Sequence, residues 1–83
     1  MTSGPRWSRA PLPWRTTLAG IIVATDDDET LLAGHAAVVW DVLEQPRTEA
    51  ELISDCAELY GLDEAGTARG LAALTQAGLC IRT

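Results

Sequence analysis

The chain contains no lysine and no phenylalanine, and only one histidine, one tyrosine and one methionine among its 83 residues. Without lysine, all side-chain positive charge rests on six arginines, set against twelve carboxylates for a net charge of −6. Such a balance repels phosphate backbones and acidic membrane surfaces, which argues against nucleic-acid and membrane partners. A lone histidine has no second imidazole with which to share a metal. No apolar run reaches about 18 residues, so no transmembrane helix is expected. The opening MTSGPRWSRAPLPWRTT lacks the continuous apolar segment of a secretory signal, and a cytoplasmic location is expected. Cys56 and Cys80 lie far apart with no CxxC spacing. In a cytoplasmic chain they read as two buried thiols, with a single disulfide as the alternative.

What is present is one small domain, near the lower size limit for a core without staples. It has no room for a substrate-enclosing cleft with its own lid. The organising stretch is residues 30–53, TLLAGHAAVVWDVLEQPRTEAELI, read as an edge strand, a short apolar helix, a turn and the start of a second helix. Ala36, Val39, Trp40 and Leu43 recur at i, i+3, i+4 and i+7, one core-facing stripe. Pro46 helps end that helix. Thr48 with Glu51 three positions on spells a capping box for the next helix, expected over 49–60 and closed by Gly61. Its buried stripe is expected to be Leu52, Ile53, Cys56, Leu59 and Tyr60.

Upstream, residues 1–13 read as a flexible arm in which Pro5, Pro11 and Pro13 oppose regular structure. Trp7 and Trp14 are costly to leave in water, so one or both are expected against the body of the domain. Arg6, Arg9 and Arg15 make this a basic stretch that either meets an acidic partner or pairs with the protein's own acids, the reading preferred here. Residues 18–25, LAGIIVAT, read as a strand covered on both faces, or one with Ile21 and Val23 inward. The DDDE run at 26–29 is the solvated tip of a hairpin, since it lacks the alternating oxygens and sharp-turn glycine of a calcium loop. Gly34 and His35 join the hairpin to the following helix; no nucleophile stands at a motif spacing from His35. Asp63 caps a third helix over 64–77, with Thr67, Leu71 and Leu74 as its core stripe and Gly78 beyond it. Residues 79–82 finish as a short strand or an extended tail. The expected architecture is α+β, a small N-terminal antiparallel β-sheet or hairpin followed by three helices, winged-helix-like.

The order of a strand, Leu32-Ala33-Gly34-His35-Ala36-Ala37, an apolar helix ending in a Trp-containing turn, and Pro46-Arg47-Thr48-x-x-Glu51-Leu52-Ile53 resembles the PqqD-like proteins. These are winged-helix recognition elements for ribosomally made, post-translationally modified peptides (RiPPs). The resemblance runs from about Leu18 to Arg82, placing the peptide-binding domain at 14–83. It implies a peptide chaperone without catalytic residues, metal or cofactor, which takes the leader segment of a precursor as an added strand and docks a modifying enzyme. That enzyme would be a radical-SAM protein, a leader peptidase or a cyclase. The strand side of the implied site is Thr30, Leu31, Leu32 and Ala33; the helix side is Arg69, Ala72, Ala73 and Gln76. Arg69 either meets an acidic leader residue or pairs with Asp63 or Glu64. Where related sequences often carry a bulky residue, this chain has Gly70, which either deepens the groove or weakens the helix. Two other readings stand beside this one: a winged-helix scaffold or dimerisation module anchored by the arm's tryptophans, and a DNA-binding regulator. The third helix, with one Arg and one Glu, offers no basic face to DNA.

Overall fold

The computed structural model describes residues 4–83. In chain order the elements are β1 (Arg6–Arg9), β2 (Trp14–Thr17), β3 (Gly20–Ala24), β4 (Glu29–Leu32), α1 (His35–Val42), β5 (Arg47–Thr48), α2 (Glu49–Tyr60), α3 (Glu64–Gln76) and β6 (Cys80–Arg82). The fold is α+β, with N-terminal antiparallel strands leading into three helices.

One sheet runs β2-β3-β4, all antiparallel, with Ile21 opposite Leu32 and Val23 opposite Thr30. Period-two alternation turns Ile21, Val23 and Leu32 into the core, while Ile22 and Leu31 face outward. At the start of β3 only glycine fits: Gly20 has φ +146°, and a Cβ there would stand 2.2 Å from the Leu32 carbonyl oxygen. The strand expected at 30–33 lies one residue earlier, leaving Ala33 in the link to α1.

The second sheet corrects the reading of the arm. Its order is β5-β1-β6, so Arg6–Arg9 is the central strand of three rather than a loose segment. Residues 1–3 of the arm lie outside the described residues. Pro5 and Pro11 flank β1 without interrupting it, and a proline costs no ladder bond outside the strand. Trp7 on this strand packs against the core, and Arg82 lies over its ring. Trp14 stays 43% exposed but meets buried Trp40 edge-on, ring centroids 6.1 Å apart. The arm's arginines turn to their own protein: Arg6 pairs with Glu51, Arg15 with Glu29, and Arg9 donates from Nε to the Trp40 carbonyl at 2.7 Å.

The core gathers Val23, Val39, Trp40, Leu43, Leu52, Leu74 and Leu79, all fully buried. Cys56 and Cys80 are free and buried. The expected stripe of α2 ends early, for Leu59 is 67% and Tyr60 49% exposed. The last turn of α2 lies at the surface, past the buried positions Leu52 and Cys56. Tyr60 instead donates its hydroxyl to Asp41.

The capping box of α2 is formed, with Glu51 N–H bonding to Thr48 Oγ1 at 3.2 Å and Thr48 N–H to Glu51 Oε1 at 2.8 Å. Thr48→Ala is therefore predicted to cost about 1 kcal/mol in urea unfolding. The Thr48 backbone N–H above all holds the Glu51 carboxyl below its ordinary range, with the Thr48 hydroxyl, Arg6 and Arg47 adding to it. A depressed carboxylate pKa stabilises the fold above the ordinary carboxylate range, and that stabilisation is lost as pH falls through the folded value. Glu51→Gln should flatten the acid side of a melting-temperature profile. Parallel profiles would mean that another group titrates there.

Candidate functional site

β4, like β2, is an edge strand of its sheet, and the hydrogen bonding around it shows which of its peptide groups are in use. Ala24 N–H bonds toward β2, to the Pro13 carbonyl at 2.8 Å, and Thr25 N–H bonds toward β4, to the Asp28 carbonyl at 2.7 Å. Neighbouring residues of an antiparallel strand send their main-chain groups to opposite sides. Ile21 and Val23 therefore bond to β4, and their register partners Leu32 and Thr30 bond back. Glu29 and Leu31 point the other way. The Glu29 N–H is taken by Asp28 Oδ1 at 2.8 Å. That leaves Leu31 at the centre of the open edge, its side chain 54% exposed. Of the residues expected on the strand side, Thr30 and Leu32 spend their main chains on the hairpin, and Ala33 lies just past its end.

On the helix side, Arg69, Ala72, Ala73 and Gln76 are all exposed on α3. The structure brings only two of them into one groove: Ala72 and Gln76, with Leu71, Trp7 and Glu49, wall a cavity of about 340 Å³. Arg69 and Ala73 stand outside its lining. Among the described residues Arg69 makes no ion pair, and Asp63 is occupied as the cap of α3, accepting Gly66 N–H at 2.8 Å.

Gly70 has a role that neither sequence reading anticipated. It is buried, and a Cβ there would stand 2.5 Å from the His35 carbonyl oxygen and 2.7 Å from Val39 Cγ2. The missing side chain is space filled by α1, so it lets α3 rest on the first turn of that helix, just beyond the end of β4. The middle of α3 is thereby held against the start of α1, which follows β4 after Ala33 and Gly34.

Sequence reasoning missed a second cavity of about 250 Å³, between β2 and the helices, lined in part by Trp14, Ile21, Val38, Asp41 and Tyr60. Its signals were Trp14, costly to leave in water, and Tyr60, which helical periodicity assigned to the core. Arg9 lies over the two tryptophans, its guanidinium 4.8 Å from the Trp14 ring centre and 5.1 Å from that of Trp40. Burial lowers the Arg9 pKa, and Asp41 and Glu44 oppose that shift.

Nothing else gathers chemistry. His35 is the exposed first residue of α1. Burial pushes both thiols up, away from the reactive thiolate, although Thr75 beside Cys80 works against the shift there. Among the described residues no three His, Cys, Asp or Glu side chains gather as a metal site, and no helix is long and apolar enough to cross a membrane. In comparisons with family models, curated proteins and solved structures, the chain matches none.

Proposed function

We propose that this chain is a non-catalytic recognition element of RiPP biosynthesis: it takes the leader of a ribosomal precursor peptide as an added strand on β4 and presents it to a modifying enzyme. The observation that carries this reading is the open main-chain edge at Leu31 on an edge strand of an antiparallel sheet. An extended peptide satisfies such an edge with main-chain hydrogen bonds, and side chains beside it supply selectivity. Arg69, which makes no ion pair among the described residues, is a charge partner for an acidic leader residue. The resemblance to PqqD-like proteins supports the same site, and the enzyme served would be a radical-SAM protein, a leader peptidase or a cyclase. Holding peptide and enzyme together raises the effective concentration of the peptide at the active site. The leader is disordered when free, and the cost of ordering it is met on binding.

The competing scaffold reading would use the arm's tryptophans as an interface anchor. It is less favoured because Trp7 is already packed against the protein's own core.

The test is a matched pair of proline variants, titrated with the leader of a precursor encoded beside this gene. Leu31→Pro removes an N–H that faces away from β3, so the domain should stay folded while binding weakens about tenfold or more. Leu32→Pro removes a ladder donor inside the hairpin, so it should lower stability itself. A folded Leu31→Pro protein that binds the leader as tightly as wild type would sink the reading.

A further inference from the structure

The register of β4 goes beyond locating a strand-addition edge, because it dictates which side chain of an added strand meets which side chain of this protein. Leu31 would form the doubly hydrogen-bonded pair with the incoming strand, and the two members of such a pair project to the same face of the sheet. That face is the outer one, turned away from the helices. Leu31 lies there in a row with Ile22 and Arg15, and its Cδ1 covers Gly20, 3.5 Å from where a Cβ would be. Two residues back, on the same face, stands Glu29, bonded to Arg15 across β3 at 3.1 Å. Every pairing in the sheet is antiparallel, and an added strand that keeps the pattern passes Leu31 and then Glu29 at residues two apart.

Resting on the strand-addition reading, we propose that the edge of β4 selects a peptide with a bulky apolar residue opposite Leu31 and no acid at the position two residues on, opposite Glu29. The apolar residue extends the Ile22–Leu31 row and takes both side chains out of water. An acid opposite Glu29 sets like charges side by side, on a protein whose net charge is already −6. Selection by the outer face is thus separate from anything α3 contributes on the inner one.

The experiment pans displayed random twelve-residue peptides against the full chain and against Leu31→Lys, then maps the enriched peptides by backbone amide shifts. Leu31 is exposed on the outer face, so its replacement should leave the fold intact. Wild type should enrich a β-branched, leucine or aromatic residue at one position, and exchanging it for asparagine should weaken binding about threefold to fivefold. Leu31→Lys should shift the preference at that same position to an acid. If the peptides move the β4 amides but both proteins select the same residues, this inference is overturned while strand addition stands. If no peptide moves the β4 amides, and the leader encoded beside the gene does not either, both are overturned.

Discussion

Replacement of Trp40 by alanine is expected to cost about 3–5 kcal/mol, a large share of the stability of a domain this small. Trp40 is fully buried at the centre of the core, where α1 faces the edge of the Trp14 ring and the guanidinium of Arg9. Alanine removes the whole indole, and the cavity it leaves is bounded by helices on short links that cannot fully collapse. Trp40→Phe separates volume from polarity. The indole Nε1 is buried without an acceptor among the described residues, so phenylalanine gives up no hydrogen bond. The phenylalanine variant should therefore lose about 1–2 kcal/mol and remain folded. Urea unfolding followed by circular dichroism measures both; an alanine variant within about 1 kcal/mol of wild type would show that the core is not organised around this residue.

Gly70→Ala carries the second large effect, and its sign is opposite to what helix propensity alone dictates. In an exposed helix, alanine for glycine gains about 1 kcal/mol. Here the new methyl group meets the His35 carbonyl oxygen at 2.5 Å and carbon at 2.8 Å, backbone atoms that move only if α1 moves. Separating α1 from α3 costs more than the propensity returns, giving a net loss of about 2 kcal/mol or more. Gly66→Ala on the same helix is the control. Its obstacles are side-chain atoms of Leu62 and, at 3.0 Å, the capping Asp63 Oδ1, which can give without moving a helix backbone, so its change should be smaller. Equal effects at the two positions would rule out close helix approach as the reason for Gly70. Because α1 begins just after β4, the Gly70 variant should also disturb the amides at the end of that strand.

The helices were the most legible part of the sequence, because their signals are local. Thr48 with Glu51, Asp63 with its free backbone donors, and the Val39–Trp40–Leu43 stripe each lie within a few residues, and each stands where it was expected. The hairpin was legible for the same reason, with two apolar runs separated by an acidic tip. The β5-β1-β6 sheet was not. Trp7 pairs with Arg47 on one side and Arg82 on the other, and no local pattern records a partner so distant in sequence. The prolines, read as breakers, in fact mark the limits of a strand. Leu59 and Tyr60 obey the helical period, but periodicity cannot tell how far along α2 the rest of the fold covers it. At the candidate site, the strand edge followed from the order of elements. Its single open residue, Leu31, followed only once Ala24 and Thr25 fixed which way each peptide group points.

The central position of β1 also bears on how the chain acquires its structure. The β2-β3-β4 sheet joins strands adjacent in sequence and closes short loops, so it can assemble as soon as its residues exist. β1 must wait, because both its neighbours come later in the chain, and β6 comes after all three helices. During synthesis, Trp7 thus lies on a strand that lacks one of its two neighbours until Cys80–Arg82 has emerged. The earliest strand of the β5-β1-β6 sheet is completed last, and joining β1 to β6 closes a loop that spans most of the domain.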